Sequence, residues 1–246
     1  MSRDTDPIAD SVWVRPPRSR RGRPQLSREE IVSAAVELLD AEGLDGLSMR
    51  RLGATISAGA TSLYFYVANK DELLELAVDQ IMGELEFPAA SEAGWREAAA
   101  GFARAMRAMM LRHPWTLGLL GVQPNIGPNA MRASDRAIGV LSAAGFTGQE
   151  IAWASSLLMS HAIGTATSEA AMRRMTARTG RPADDMIEQM RDYVARIGAD
   201  YPDFAAWWRD NGDVSMGKNL DAGFEFGLER VLDGLESWLG RSAASG

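Results

Sequence analysis

The chain has no cysteine and only two histidines among its 246 residues. The first absence excludes disulfides, thiolate zinc sites and cysteine nucleophiles, and it fits a reducing cytoplasm. The second leaves His113 and His161 without carboxylates at metal-ligand spacing, so no metal and no cofactor is expected. No nucleophile or acid–base constellation appears at a spacing that serves catalysis, and an enzyme with an all-helical core is the weaker reading. Long apolar runs are missing too. The greasiest stretch, Ile151 to Thr167, is broken by three serines and His161 and falls short of a membrane span. The opening MSRDTDPIAD has no apolar run and does not resemble a secretory signal. These absences predict a soluble, cytoplasmic protein with no membrane partner.

Excess positive charge is also lacking, since the formal net charge is −7. Its distribution is uneven. Residues 1–71 hold ten Arg/Lys and ten Asp/Glu, while residues 72–246 hold sixteen against twenty-three, which accounts for the whole deficit. Arg15, Arg18, Arg20, Arg21 and Arg23 lie together with no acid among them. A phosphate backbone responds to such a local cluster more than to global charge. A solvated tail is the alternative for the same residues.

What is present is helical periodicity. Pro and Gly punctuate the chain at Pro16–Pro24, Pro88–Gly94, Pro124–Pro128, Gly180–Pro182 and Gly212–Gly217. Between these breaks apolar residues recur at helical spacing, with no run of strand-type alternation. The first helix carries a capping box, Ser27 with Glu30, and a staple, Leu26 with Ile31. Ile31, Ala34, Ala35, Leu38 and Leu39 form its apolar stripe, and Gly43 supplies the left-handed stop. A second helix starts at Ser48, with Leu47 and Leu52 as staple, and runs to about Thr55. Ile56–Gly59 makes a tight turn, and a short third helix covers about Ala60 to Tyr66. Asn69 to Glu72 caps a fourth, carrying Leu73, Ala77 and Ile81 inward. Two short helices joined by a tight turn after a longer supporting helix form the layout of a DNA-binding helix-turn-helix.

The stretch LSREEIVSAAVELLDAEGLDGLSMRRLGATISAGATSLYFYVANKDELL, Leu26–Leu74, resembles the DNA-binding domain of the tetracycline-repressor family of bacterial regulators. The capped first helix, the Glu-Gly turn, the serine-led second helix, Ser-Leu-Tyr in the third and Asn-Lys-Asp-Glu-Leu opening the fourth match together. At lower density Arg112–Trp115, Leu141–Phe146 and Phe224–Leu235 are similar to the C-terminal domain of the tetracycline-repressor subgroup. The resemblance spans roughly residues 12–239. It implies an all-α fold, with an N-terminal three-helix helix-turn-helix domain and a C-terminal helical ligand-binding and dimerisation domain. The expected boundaries are a flexible basic arm over 1–24, the DNA-binding domain over 25–72, the helical domain over 73–240 and a disordered tail over 241–246. The implied function is a ligand-responsive transcriptional regulator: a homodimeric repressor released from a palindromic double-stranded DNA operator by a small hydrophobic effector.

By family position Ala60, Thr61, Ser62, Tyr64 and Tyr66 face DNA, while Leu63 anchors the helix. None is Arg, Lys, Asn or Gln, so the strong bidentate readers of guanine and adenine are missing. Base readout should be modest, with Tyr64 and Tyr66 placed on phosphates or, alternatively, packed. Lys70 and Arg50 stand in first turns of helices, where a cation opposes the dipole. Phosphate contact would explain them, as family members use the lysine position so; Arg51 raises the same tension, and both arginines could equally be solvated. Arg21-Gly22-Arg23-Pro24 is similar to the core of an AT-hook. With Arg18 and Arg20 it is a candidate minor-groove arm.

Phe224, Leu228, Val231, Leu235 and Trp238 follow 4-3-4-3 spacing, a seam typical of helix pairing, with Gly227 among them. Leu157, Ser160 and Gly164, in line with Trp153 and Ser168, form a second seam rich in small residues. The resemblance makes both candidate dimer surfaces; burial within one protomer is the alternative. Phe102, Met106, Met109, Met110, Trp115, Trp153, Leu157, His161, Met172 and Met175 are the candidate effector contacts. Methionine and tryptophan at this density suit an adaptable apolar cavity, and ordinary core packing competes for each. The tetracycline repressor holds drug-bound magnesium through histidines. No histidine matches those positions, so tetracycline is not the expected effector.

Overall fold

A computed structural model describes residues 8, 11–14, 26–119, 125–181, 183–211 and 216–244. Among them every regular element is helical, as the periodicity requires. In order these are α1 (Arg28–Gly46), α2 (Met49–Thr55), α3 (Ala60–Leu63), α4 (Lys70–Met82), α5 (Ala90–Ala93) and α6 (Trp95–Arg112). A 3-10 turn (Pro114–Gly118) follows, then α7 (Pro128–Ala144), α8 (Gln149–Thr179), α9 (Ala183–Ile197), α10 (Pro202–Asn211) and α11 (Met216–Ala244). No helix among the described residues is long and apolar enough to cross a membrane.

The punctuation of the chain becomes its caps. Ser27 accepts from the Glu30 amide at 3.0 Å while Glu30 accepts from the Ser27 amide at 2.6 Å, the reciprocal box that the sequence announces. Ser48 and Asn69 cap α2 and α4 one way only, their side chains accepting the Arg51 and Glu72 amides, each cap stabilising by about 1 kcal/mol. Gly43 takes φ 70° inside α1, and helical bonding resumes beyond it to Gly46, so the expected stop is a break in a longer helix.

Two compact units emerge, residues 1–156 and 157–246. In the first, α1 to α3 do not end as a separate domain at residue 72, because α4 completes their core. Leu73 and Ala77 of α4 are fully buried with Ile31, Ala35, Leu52 and Leu63. A buried carboxylate pins the entrance: Glu72 receives the Arg28 guanidinium at 3.0 Å and the Ala68 amide at 3.0 Å. At the far end of α4, Asp79 caps a different helix. Its Oδ1 accepts the amides of Asn129 and Ala130, each at 3.0 Å, in the first turn of α7. Gly127 cannot supply a capping side chain, and a Cβ there would lie 2.3 Å from the Asp79 carboxyl carbon. Side chain and missing side chain thus fit one another.

The second unit holds the remainder of α8 with α9, α10 and α11. His161 of α8 stacks on Phe224 of α11 with ring centroids 5.2 Å apart, and its Nε2–H donates to the Phe224 carbonyl at 2.8 Å. Gly227 makes room for that ring, since a Cβ there would stand 2.3 Å from His161 Cε1. Residues 241–244, expected to belong to a tail, are helical, since α11 continues to Ala244; 245–246 lie outside the described residues.

Candidate nucleic-acid interface

The turn between α2 and α3 is tight and locally strained. Ser57 adopts φ 54°, the one non-glycine residue described with a positive φ. The Ala58 amide closes the turn on the Gly53 carbonyl at 2.8 Å. Beyond it α3 is shorter than the sequence suggests. It ends at Leu63, and Tyr64–Tyr66 continue as a turn in which the Phe65 and Tyr66 amides bond three residues back. The tighter winding changes which side chains face outward.

Leu63 and Val67 are fully buried and Tyr66 is half-buried, which anchors this segment from one side. Thr61, Ser62 and Tyr64 lie exposed on the other, while the Ala60 side chain lies outside the described set. Phe65 is 80% exposed, against 49% for Tyr64, and is the most exposed large apolar side chain described. Sequence reasoning missed it. The signal was nonetheless there: two residues from Leu63 and from Val67, it sits opposite both anchors. The face presented by α3 is therefore two hydroxyls, a phenol and a bare phenyl ring. Such a face can contact thymine methyls, accept or donate single hydrogen bonds to base edges, and reach phosphates.

The flanking cations divide. Arg50 is exposed in the first turn of α2. Arg51 pairs with Glu42 of α1 at 2.5 Å. Lys70 does have a structural role, contrary to the expectation that its position serves only phosphate. Its Nζ donates to the Leu44 carbonyl at 2.9 Å, satisfying a backbone acceptor near the end of α1. Two ammonium protons remain for other acceptors.

Arg18, Arg20, Arg21 and Arg23 lie outside the described residues. The segment before them does not behave as an arm that is free from residue 1. Ser11 is fully buried, its Oγ–H donates to Glu75 of α4 at 2.7 Å, and the Val12 amide donates to the same oxygen at 3.0 Å. The chain is thus held at Ser11–Val14 and again from Leu26.

The two candidate dimer seams have different fates. Phe224, Leu228 and Leu235 are buried within the single chain and have no surface to offer a partner, while Gly227 is half-buried, with the His161 ring where its side chain would stand. Val231 is half-buried. The correction has a simple cause: α11 has two apolar faces, and the seam chosen from spacing turns inward at Phe224, Leu228 and Leu235 but not at Trp238. Its outward side carries Phe226 and Trp238, both exposed. On α8 the expected seam does face outward: Trp153 is 60% and Leu157 53% exposed, with Ser160, Gly164 and Ser168 exposed as well. Nothing stands within 4 Å of a Cβ built on Gly164.

The candidate effector contacts scatter likewise. Phe102, Met106, Met109 and Met110 are all buried on α6. Trp115 is buried with its indole N–H bound to Asp40 Oδ1 at 2.7 Å. Trp153 and Leu157 are open to solvent, which suits a partner surface and not an enclosed cavity. His161 is engaged with Phe224, and Met172 and Met175 are half-buried on α8.

Two family descriptions match the chain. Residues 31–77 match the model of bacterial regulatory proteins of the tetR family, and residues 87–239 match that of the tetracyclin repressor-like C-terminal domain. An HTH-type transcriptional regulator of Saccharopolyspora erythraea is 35% identical over 94% of this chain and 93% of its own length. The HTH-type transcriptional repressor DrrR1 of Streptomyces coeruleorubidus is 35% identical over 92% of this chain and 83% of its own. Among solved structures, ActR of Streptomyces coelicolor in complex with actinorhodin is 29% identical with a TM-score of 0.73. The match covers 87% of this chain and 96% of that one.

Proposed function

The chain belongs to the tetR family of bacterial regulatory proteins, ligand-responsive DNA-binding regulators, and we propose that it represses transcription as a homodimer. In this reading α3 enters the major groove of each half of a near-palindromic operator. Thr61 and Ser62 meet base edges, Tyr64 a phosphate, and Phe65 a thymine methyl or the sugar edge. Arg50, Lys70 and the cluster Arg18–Arg23 neutralise phosphates or enter the minor groove. The observation that carries the reading is the outward face of α3, held by buried Leu63 and Val67 behind a capped α2.

Two copies associate through the outward faces of α8 and α11, around Leu157, Ser160, Gly164, Phe226 and Trp238. An exposed apolar and small-residue face of this kind supports an isologous pairing of helices. A small, largely apolar effector meets the buried methionines of α6 and releases the operator. ActR, solved with actinorhodin, supports an organic effector by similarity. Release requires the effector to bind the two states of the protein unequally, and a tenfold to hundredfold release corresponds to about 1.4–2.7 kcal/mol.

Selection of bound duplexes from a random pool tests the DNA reading. Enriched sequences should be near-palindromic, and Leu63→Ala should abolish binding by unseating α3. If no duplex is enriched, or if Thr61→Ala, Ser62→Ala and Phe65→Ala together leave the selected sequence and affinity unchanged, the reading is wrong.

A further inference from the structure

The outward face of α3 is chemically ambivalent in every group but one. Thr61, Ser62 and Tyr64 are exposed there, and each ends in a hydroxyl. A hydroxyl carries one donor and two acceptor lone pairs, and its proton rotates to suit the partner. In the major groove thymine shows the O4 acceptor and a C5-methyl group, whereas cytosine shows the N4 amino donor and no methyl. A hydroxyl bonds O4 or the N4 amino group equally well. It fixes where on the edge a polar atom must lie, and not which of the two it is. Ala60 to Val67 contain no Arg, Lys, Asn or Gln to add a second, directional bond. Polar readout of this face therefore leaves thymine and cytosine alike.

Phe65 breaks the tie. Its side chain is 80% exposed, while Leu63 and Val67 on the opposite side are fully buried. The backbone is fixed on both sides of it. The Phe65 amide donates to the Ser62 carbonyl at 3.2 Å, and the Val67 amide to the Leu63 carbonyl at 3.0 Å. The ring is thus held out beside the Ser62 and Tyr64 hydroxyls by a segment that cannot swing freely. A phenyl side chain has neither donor nor acceptor to offer a base edge. The one apolar group that a base presents in the major groove is the C5-methyl of thymine.

We infer that α3 distinguishes pyrimidines by their C5-methyl group, with Phe65 as the specificity-determining residue, so that 5-methylcytosine is accepted where the operator carries thymine. The inference rests on the proposal that α3 binds DNA. 5-Methylcytosine differs from thymine in the polar group that the hydroxyls do not discriminate, and it keeps the methyl. Uracil has the polar pattern of thymine and lacks the methyl. Binding then follows the methyl group through both exchanges, and methylation of cytosine at these positions creates a site for the protein.

The experiment uses the full chain and a duplex that it has itself selected from a random pool, with affinity read by fluorescence anisotropy. Each thymine of a half-site is replaced in turn by deoxyuridine, by cytosine paired with guanine, and by 5-methylcytosine paired with guanine. At one or more positions deoxyuridine should weaken binding about fourfold per half-site, the value of one buried methyl group. Cytosine should weaken it at least as much, and 5-methylcytosine should recover most of the loss. Phe65→Ala should bind the thymine and deoxyuridine duplexes alike, with an unchanged unfolding midpoint, because the side chain it removes is exposed. Phe65→Leu keeps an apolar side chain and should restore the preference. A preference that came from duplex stiffness, or from a ring lying on the sugar edge, would persist in Phe65→Ala. The inference is overturned by that persistence, by affinity indifferent to deoxyuridine at every thymine, or by 5-methylcytosine binding no better than cytosine. Failure to enrich any duplex is a different result: the DNA reading falls, and methyl readout with it.

Discussion

Gly227→Ala adds a single methyl group at a position where it cannot fit. The new Cβ would stand 2.3 Å from His161 Cε1, with both ring nitrogens near 3 Å, whereas carbon atoms pack at about 3.5–4.0 Å. The ring cannot retreat cheaply. It is held by its bond to the Phe224 carbonyl at 2.8 Å and by the stack on the Phe224 ring. Forcing a methyl group into packed surroundings costs about 1–3 kcal/mol, and losing the hydrogen bond adds about 0.5–1.5 kcal/mol. Replacing glycine by alanine within a helix returns about 0.8–1.0 kcal/mol. The net is a destabilisation near 2 kcal/mol, or roughly 4–8 °C in the unfolding midpoint of a chain this long. Gly223→Ala on the same helix is the internal control, because nothing lies within 4 Å of its Cβ; it should be neutral or stabilising by up to about 1 kcal/mol. Calorimetry at one fixed protomer concentration compares the two, since association moves the midpoint. His161→Ala should cancel much of the Gly227→Ala cost in a double-mutant cycle. Equal midpoints for the two glycine variants would refute the packing of α8 against α11.

Leu157→Glu or Gly164→Trp should shift sedimentation from dimer toward monomer at micromolar concentration, with the helical signal retained; a monodisperse wild-type monomer would refute the α8–α11 pairing. Ser11→Ala leaves the buried Glu75 carboxylate short of a donor and should destabilise the chain by about 1–3 kcal/mol, read by denaturant titration; an unchanged midpoint would show that the N-terminal segment does not dock. Tyr64→Phe should weaken binding to all duplexes alike, whereas Thr61→Ala or Ser62→Ala should relax preference at one base pair per half-site, each by about 1 kcal/mol; the reverse pattern would overturn the division of roles. Removing residues 1–23 should flatten the salt dependence of duplex affinity by about 0.9 for each phosphate the arm neutralises, and an unchanged slope would show that the arginine cluster is only a tail.

The legible parts of this molecule are those whose cause is local. A Ser or Asn oxygen accepts an amide of the first helical turn, and Glu30 adds the reciprocal bond behind Ser27, so the starts of α1, α2 and α4 could be placed from Ser27, Ser48 and Asn69. The apolar stripe of α1 and the anchoring role of Leu63 follow from helical periodicity alone. The absence of bidentate readers on α3 is a matter of composition and holds in any structure.

The features that escaped depend on neighbours far along the chain. Periodicity says that α11 has an apolar seam, yet it cannot say whether that seam meets its own chain or another. The Gly227–His161 fit decides that for Phe224, Leu228 and Leu235. Lys70 looked misplaced at a helix N-terminus because its acceptor, the Leu44 carbonyl, lies 26 residues earlier. Ser11 looked like part of a loose arm because Glu75 lies 64 residues later. The sequence by itself determined the helices, their starting caps, the helix-turn-helix and the hydroxyls of its outward face, though not Phe65, since these arise from contacts within a few residues. Only the tertiary structure decided which apolar face is core, which is exposed, and which polar groups join one helix to another. Those are pairings across long separations, and no local pattern encodes them.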